Sequence, residues 1–284
     1  MTPSWDQLGK IDPKALWEAR LQAHHAVQWV ARAAGANIMP MPSDTQFNFG
    51  WDRDQGALVS HELRGRSDTL RVGLVMATMT LVVLRDASVI DQFVLDGKRH
   101  ADAGLWLDRI LSTAGLALAS GAALSYAIPA HPVGDGAAYV SGPQRGEFRV
   151  LANWFACADD MIGAIHATLP QGTASPVRCW PHRFDIATLW TLGDGDAETA
   201  PSVGIGLSPG DGCYAQPYFY VTLWPRPAPE KLPPLPPPGD WHTDEFIGAV
   251  LTGEAIVAMP DRATRMRQFL DAAVSVARRL VAPR

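Results

Sequence analysis

The sequence SVGIGLS (Ser202–Ser208), then the turn PGDG (Pro209–Gly212) and the run YFYVTLW (Tyr218–Trp224) decide the fold class of this chain. In both heptads, apolar side chains alternate with small, polar or amphipathic ones, which is the period of a strand with one buried face. The Pro-Gly-Asp-Gly segment between them is typical of a tight turn. Because so short a connection holds no crossover helix, the two strands must be antiparallel. The stretch therefore predicts an antiparallel sheet.

The residues on either side of this strand pair predict further elements, so that the C-terminal half of the chain begins and ends with a helix. Upstream, the spacing predicts a helix over Gly146–Ala167 and a strand over Arg178–Leu192. Downstream, we expect the proline-rich connector Pro225–Gly239 to run extended over the surface. Apolar residues then recur at the helical period, which predicts a last helix that Asp261 caps and that ends near Val281.

The first half repeats this order of elements. An N-cap aspartate before Pro13 predicts a helix over Pro13–Ala34, and Gly35 is expected to end it. A second helix is predicted over Ala101–Ala119. Between the helices, short polar turns separate five strand-like runs: Thr45–Trp51, Ala57–Leu63, Leu70–Val75, Thr78–Arg85 and Ser88–Leu95.

Each half is thus predicted as a helix, an antiparallel meander and a helix, which gives an α+β fold of two similar halves. We expect an N-terminal half over residues 1–142 and a C-terminal half over 143–284 that carries the site, with the glycine-rich stretch 120–143 as the joint. An offset of 137 residues aligns Trp17 with Trp154 and favours a duplication around a pseudo-twofold axis. The alternative is that both halves pack as one domain.

Charge and cysteine content exclude some classes of function. The chain of 284 residues has a net charge of −5, and neither half is basic, so we expect no nucleic-acid partner. The three cysteines are widely spaced, which favours a reducing compartment over a disulfide framework. Neither a signal peptide nor an uninterrupted apolar run of about 20 residues is evident. We expect a cytoplasmic protein without a membrane partner.

A carboxylate on the strand after Arg178 is the first candidate for a site. Asp185 alternates with Ala187 and Leu189 along this strand, so it must be hydrogen-bonded, paired or neutralised. In a functional interpretation, His182 and Asp185 form an acid–base pair or ligate a metal, brought together by a bend at Pro181. In a structural interpretation, Asp185 accepts backbone hydrogen bonds. Both interpretations stay open.

The glycine-containing strand provides the second candidate. Gly204 and Gly206 leave one face of the strand almost without side chains, and a ligand or another element can approach such a backbone closely. Tyr218 and Tyr220 lie on one face of the next strand, so together they would make a floor for a flat or sugar-like ligand. Packing of this face against a helix is the alternative.

Two further groups complete the candidate residues. In an extended stretch His242 and Asp244 share a face, a spacing that can orient an imidazole or bind a metal, although no third ligand follows locally. His24 and Gln28 lie one helical turn apart and could reach a central cavity or be solvated. The sequence contains no cofactor fingerprint, so we predict no cofactor and assign no metal site.

The order of these motifs resembles that of an uncharacterised bacterial family, a domain of unknown function, over nearly the whole chain. The resemblance is carried by His24 and Gln28, Phe184-Asp185, Pro209-Gly210 after the glycine strand, Tyr218-Phe219-Tyr220, and Trp224-Pro225 with Pro227. His182 departs from the family pattern, which has a small residue there, so the resemblance implies no shared role for it. Since the family carries no established activity, the resemblance implies a common fold and no reaction.

These patterns lead to two hypotheses of different classes. In the first, the protein binds a small molecule in a pocket near the C-terminal sheet, either as a binding protein or as an enzyme. In the enzyme version, His242 is general base or ligand and Asp185 its electrostatic partner, and the other site residues bind the ligand: His24, Gln28, His182, Tyr218 and Tyr220. In the second, it is a noncatalytic assembly protein that uses its aromatic face and proline connector to bind another subunit, a homo-oligomer included.

Overall fold

The computed structural model describes residues 1–119, 124–193 and 199–282. The helices of these ranges are α1 (Trp17–Asn37), α2 (His100–Thr113), α3 (Arg145–His166), α4 (Gly253–Ala258) and α5 (Arg262–Val281). The strands are β1 (Gly50–Asp52), β2 (Ala57–Val59), β3 (Leu63–Arg64), β4 (Thr69–Val75), β5 (Thr80–Arg85), β6 (Ser88–Val94), β7 (Arg178–Trp180), β8 (Asp185–Thr191), β9 (Ser202–Ser208), β10 (Tyr218–Trp224), β11 (Asp240–His242) and β12 (Gly248–Thr252). The protein is α+β, as predicted.

Residues 1–2, 15–153 and 179–184 form one compact unit. Its sheet runs in the order β1-β2-β4-β5-β6, with β3 paired to β4 and all pairs antiparallel. Helix α1 packs against β3 and β4. The apolar residues Val27 and Val30 of this helix are buried, but so are Arg20, His24 and Gln28. Helix α1 is therefore buried on nearly every side, and its polar residues need internal partners.

Residues 3–14, 154–178 and 185–284 form the second unit. Its strands lie in the order β11-β12-β10-β9-β8, again antiparallel. Helix α5 packs against β9 and β10, and Met266, Phe269, Leu270 and Ala273 of its predicted stripe are buried. The bounds predicted for β9 and β10 are confirmed residue for residue.

Other bounds were predicted wrongly, for local physical reasons. Gly35 does not end α1, which continues to Asn37; a Cβ on Gly35 would lie 2.2 Å from the Phe47 ring, so this glycine permits close packing instead. The helix also begins later, because residues 13–16 form a 3-10 turn. Helix α2 ends at Thr113, close to Gly115, whose φ of +74° favours glycine.

Two predicted strands contain turns. The run Thr45–Trp51 is mostly the 3-10 turn Pro42–Phe47, followed by the short β1. The run Arg178–Leu192 breaks into β7 and β8, because Pro181 and the left-handed Phe184 (φ +60°) form a turn between them.

The structure does not confirm the predicted duplication at its 137-residue offset, and part of the predicted joint belongs to the first unit. The 137-residue offset aligns the first residue of α1, Trp17, with Trp154 in the middle of α3, so it does not superpose the helices. Residues 120–123 of the predicted joint lie outside the described residues. Residues 138 and 139 form bridges to Arg99 and Asp96 and belong to the first unit. Asp261 precedes α5, but its side chain makes no capping hydrogen bond to the described residues.

Candidate functional site

The candidate residues from the sequence fall into separate groups. His24, Gln28 and His182 lie in the first unit. Asp185 and Tyr220 form a pair in the second unit, and Tyr218 and His242 belong to an aromatic group of that unit.

In the first unit, His24 and Gln28 share one acceptor. The Nε2–H of His24 donates to the Pro181 carbonyl oxygen over 2.8 Å, and Gln28 Nε2 donates to the same oxygen over 3.0 Å. Gln28 Nε2 also donates to the His24 carbonyl, while its Oε1 accepts from the Tyr126 hydroxyl at 2.7 Å. The amide of Gln28 is thus fully used in holding the turn after β7 against α1.

The rings around this pair make it a packed network. Phe184 stacks on the His24 imidazole with ring centroids 5.1 Å apart and an interplanar angle of 10°. His182 is exposed, and its ring lies 5.8 Å from that of Tyr126 and 6.1 Å from that of Trp180. The structure therefore brings His24 and Gln28 together as the sequence suggested, and it places His182 at the exposed side of Tyr126.

Burial holds His24 neutral. The residue is 1% exposed, and the pKa of its imidazole is lowered to about 4, chiefly by desolvation; the Pro181 carbonyl opposes this shift, and the nearby Arg20, His25 and His182 add to it. Since Nε2 carries the proton that Pro181 accepts, Nδ1 is a bare acceptor, and it has no partner among the described residues. The group is built to position backbone rather than to carry charge.

In the second unit, Tyr220 reaches across β9 to Asp185. Tyr220 is paired with Gly206, and Gly206 with Ala187, so the three lie on one face of adjacent strands. The Tyr220 hydroxyl donates a short hydrogen bond to Asp185 Oδ2. Asp185 is 8% exposed, so this contact satisfies a carboxylate that would be costly to bury alone.

Of the two alternatives for the glycine strip on β9, a ligand or another element, the structure shows side chains of the next strand over it. A Cβ on Gly206 would lie 2.5 Å from the Tyr220 ring end, and one on Gly204 would lie 2.4 Å from Thr222 Oγ1. The predicted shared face is correct, and for that reason the side chains of β10 fold over the glycines beside them. The glycines make room for Tyr220 and Thr222, not for a ligand.

Beyond the end of β9, Asp211 organises the tight turn. Its Oδ2 accepts from the Tyr218 hydroxyl at 2.5 Å and from Ser208 Oγ at 3.3 Å. Its Oδ1 accepts from the backbone N–H groups of Cys213 and Tyr214 at 2.9 and 3.2 Å. One carboxylate thus fixes both the turn and the backbone at Tyr214.

Four rings form what we call the aromatic cluster: Tyr214, Tyr218, His242 and Phe246. The Tyr214 and Tyr218 centroids are 4.8 Å apart, and His242 stacks on Phe246 at 4.1 Å. The Tyr214 hydroxyl and His242 Nδ1 are hydrogen-bonded at 3.0 Å, whereas the buried His242 Nε2 has no partner among the described residues. Tyr218 is buried, and the other three rings are half-buried.

A thiol and four carboxylates accompany the aromatic cluster. Cys213 Sγ donates to Glu245 Oε2 over 2.9 Å. Partial burial, the hydrogen bond to Glu245 and the charges of Asp211, Glu245 and Asp244 raise the pKa of the Cys213 thiol to about 12. Burial raises the pKa of Tyr214 and that of Tyr218, and Asp211 raises both further. The described charges that act on these three groups are therefore negative.

Asp185 and His242 do not form the predicted pair. They lie on β8 and β11, with β9, β10 and β12 between them, which corresponds to ~19 Å at the usual spacing of strands. His242 lies at the end of β11 and Asp244 in the exposed segment beyond it, so the two are not consecutive on one strand face. Among the described residues, no group of three or more His, Cys, Asp or Glu side chains is arranged to hold a metal ion.

Several residues of these groups were missed from the sequence. All of them lie in loops, where no periodic pattern indicates the direction of a side chain: Tyr126, Asp211, Tyr214, Cys213 and Glu245. The signal for Asp211 was present in the Pro-Gly-Asp-Gly turn, because aspartate at such a position commonly accepts backbone hydrogen bonds. The other four depend on contacts between segments distant in sequence.

Comparisons with known proteins leave the family of this chain undetermined. No protein-family model, no curated protein and no solved structure matches it. Within the described ranges, no helix is both long and apolar enough to cross a bilayer.

Proposed function

We propose that the protein binds a small organic cation at the aromatic cluster of the second unit. The observation that carries the proposal is that half-exposed aromatic rings are accompanied by carboxylates for which the described part of the chain shows no basic partner. Residues 208–218 and 240–250 contain Asp211, Asp240, Asp244 and Glu245 and neither lysine nor arginine. An ammonium or guanidinium group gains from both features, whereas an anion would be repelled.

The contacts around Tyr214 support this choice of ligand. Tyr214 is half-buried; its hydroxyl is hydrogen-bonded to His242, and its backbone N–H donates to Asp211. A ring fixed in this way loses little conformational freedom when a ligand packs on it. A cation over an aromatic face contributes about 0.5–2 kcal/mol, more where water is excluded.

The buried His242 Nε2, which has no partner among the described residues, is a hydrogen-bonding group that a molecule entering the cluster would satisfy. This is the part of the predicted catalytic role that we retain as a proposal. Asp185 has no place in it, because ~19 Å of sheet separates the two side chains. The glycine strip forms no part of this site, because Tyr220 and Thr222 cover it.

A titration with choline and its uncharged isostere tests the proposal. We expect isothermal calorimetry to show saturable binding of choline with Kd on the order of millimolar, and binding of 3,3-dimethylbutan-1-ol at least about tenfold weaker. Equal binding of both compounds contradicts the charge argument, and absence of choline binding up to about 50 mM contradicts the proposal itself.

Two variants locate the binding. Glu245→Gln removes one negative charge from the cluster and is expected to weaken choline binding about threefold. Tyr214→Leu removes the ring and is expected to weaken it about tenfold. The matched control is Glu230→Gln, which changes an exposed carboxylate on the proline connector and should leave binding unchanged.

The assembly hypothesis is the second candidate, and one observation favours it. Pro234, Pro236 and Pro237 are exposed, and the Trp241 indole N–H holds the Pro233 carbonyl oxygen at 2.7 Å. An extended proline segment anchored in this way is a preformed docking surface. Light scattering tests it: a homo-oligomer that dissociates in the Pro234→Ala, Pro236→Ala double variant supports this function, and an unchanged monomer contradicts it.

The duplication of the two halves also remains a proposal. Helices α1 and α3 begin at Trp17 and Arg145, 128 residues apart, and β1 and β7 begin at Gly50 and Arg178, again 128 apart. The same spacing separates β2 at Ala57 from β8 at Asp185. This common spacing supports a duplication at an offset different from the one that sequence identity suggested.

Membership of the uncharacterised bacterial family and a cytoplasmic location are likewise proposed on the sequence patterns.

A further inference from the structure

Residues 124–142 of the first unit, which we call the strap, are fastened to one face of α1. The Tyr126 hydroxyl donates to Gln28, the His25 Nε2–H donates to the Pro129 carbonyl oxygen at 2.9 Å, and His131 Nε2 donates to Glu18 at 2.9 Å. Near the end of the strap, the Val140 N–H donates to Gln22 Oε1 at 2.9 Å. The four anchors on α1 are spaced by three or four residues, so they follow one face of the helix.

The strap is also fastened to the start of α2. The Tyr139 N–H donates to the Lys98 carbonyl, and the Tyr139 carbonyl accepts from Gly97. The Tyr139 hydroxyl and His100 Nδ1 are hydrogen-bonded at 2.7 Å. Asp96 Oδ1 accepts from the backbone N–H groups of Ser141 and Gly142 at 2.8 and 2.7 Å.

Three histidines, His25, His100 and His131, lie close together among these hydrogen bonds. The His25 ring centroid lies 5.7 Å from that of His131 and 6.5 Å from that of His100. Trp29 of α1 stacks on His100 at 4.6 Å, which further encloses that ring. The His131 ring is fixed by two hydrogen bonds, since its Nδ1 accepts from the Val133 N–H and its Nε2 donates to Glu18.

The charges that face this group do not compensate for protons on all three rings. Arg32 of α1 is positively charged and lowers the pKa of His100, as a protonated His25 would. His24 and Arg20 lie on α1 near His25. The negative charges are Glu18 beside His131 and Asp135 of the strap, which acts on His25. His100 has no described carboxylate acting on it.

We propose that the strap is an acid-released cover on α1, which opens when His25 and His100 take up protons. In the closed state the two imidazoles are desolvated and lie close to each other and to His131. Opening exposes them to water, where the charged form is stable. It also removes Tyr126 from Gln28 and so uncovers the network around His24.

The pH range follows from the direction of the shifts. Desolvation lowers the pKa of His25 below its usual value and lowers that of His100 to about 4, whereas an exposed histidine titrates near 6.5. The open state therefore binds more protons between about pH 6.5 and pH 4, and acid favours opening. From His100 alone, the ratio of open to closed molecules should rise about thirtyfold between pH 7.5 and pH 5.

Hydrogen exchange measured by mass spectrometry tests the strap in the full chain. Protection factors of strap amides, each corrected for the intrinsic exchange rate at that pH, should fall about thirtyfold or more from pH 7.5 to pH 5. Amides of β4 and β5 in the same unit serve as the internal reference and should fall less. A strap whose protection is unchanged overturns the proposal, and so does an equal loss in β4 and β5, which indicates global unfolding.

Two variants keep the proposal falsifiable if one of them folds poorly. His25→Gln and His100→Gln each remove a titrating group, and the glutamine amide can still donate to Pro129 or bond the Tyr139 hydroxyl. Each is expected to reduce the acid-induced loss of strap protection, and His100→Gln by about tenfold or more. The control His166→Gln replaces a half-buried histidine of the second unit and should behave as the unsubstituted protein. If both variants keep the full acid response, the named histidines are not the trigger.

Discussion

The His24 network of the first unit and the aromatic cluster of the second use the same kinds of side chain in opposite ways. In the first unit, His24 and Gln28 are buried against the Pro181 carbonyl oxygen, and the charges that act on His24 are positive. In the second unit, Tyr214 and His242 are half-exposed, and the charges that act on Tyr214 and the neighbouring Cys213 are negative. The first arrangement fastens the chain to itself, and the second leaves polar and aromatic surface for another molecule.

The difference teaches that residue type alone does not distinguish a structural network from a binding surface. Both groups contain a histidine nitrogen without a described partner, His24 Nδ1 and His242 Nε2. What separates them is the surroundings: His24 is 1% exposed and enclosed by Phe184, whereas His242 lies at the end of β11 beside exposed carboxylates. The following predictions test each side of this contrast.

The largest effect is expected at Cys213. Because its thiol pKa is raised to about 12, the thiolate is scarce at pH 8.5, and alkylation by iodoacetamide should be about a hundredfold slower than for an ordinary exposed cysteine. Glu245→Gln should accelerate the reaction about tenfold. The rate is followed by mass spectrometry of the peptide that contains Cys213. Alkylation as fast as that of a free cysteine contradicts the negative surroundings that we assign to the cluster.

Acid should destabilise the protein through His24. The folded-state pKa of about 4 lies below the unfolded value near 6.5, so stability due to neutral His24 is full above pH 6.5 and is lost as the pH falls toward 4. At pH 5 the loss is about 2 kcal/mol. Urea unfolding at pH 7.5 and pH 5 should show that His24→Gln abolishes this part of the pH dependence. An unchanged pH dependence in that variant means that His24 is not held neutral by burial.

Gly206→Ala should destabilise the second unit by about 1–3 kcal/mol, because a Cβ there would lie 2.5 Å from the Tyr220 ring end and 2.8 Å from the Ala187 Cβ. Gly163→Ala is the matched control on α3. Its Cβ meets nothing within 4 Å, so gain of helix propensity should stabilise the protein by up to about 1 kcal/mol. If Gly206→Ala is neutral by thermal unfolding, the glycine strip is open after all.

The smallest effect is expected for Tyr220→Phe. Removal of the hydroxyl deprives Asp185 of one hydrogen bond and should cost about 1–2 kcal/mol of the free energy of unfolding. Asp185→Asn keeps an oxygen that can accept from Tyr220 and should cost less. Choline binding should be unaffected in both variants, because neither changes a residue of the aromatic cluster and Tyr220→Phe keeps the ring whose centroid lies 6.1 Å from that of Tyr218. Loss of binding with unchanged stability in Asp185→Asn argues instead for a ligand site at Asp185.

The sequence predicted elements well where one period dominates. The bounds of β9 and β10 follow from strict alternation, and α5 from its apolar stripe. It failed where a local turn interrupts an apolar run, as at Pro181 and Phe184, and where Gly35 serves packing against Phe47 instead of helix termination. Periodicity does not report such close contacts.

The candidate site was predicted less completely, because it depends on the order of strands in the sheet. Spacing on one helix joined His24 and Gln28 correctly, since residues four apart share a helix face. Asp185 and His242 were joined wrongly, because β11 lies at the opposite end of the sheet from β8, and chain order does not give sheet order. Tyr214 was missed because its place is set by Asp211 and His242 across a loop.

A titration of the protein labelled in its tyrosine and histidine rings tests the central contrast most directly. As choline is added, we expect saturable shifts in the ring resonances of Tyr214, Tyr218 and His242, while those of His24 and His100 stay constant. Shifts confined to the His24 network, or no shift in any of these rings at saturating choline, contradict the assignment of the second unit's aromatic cluster as the binding surface.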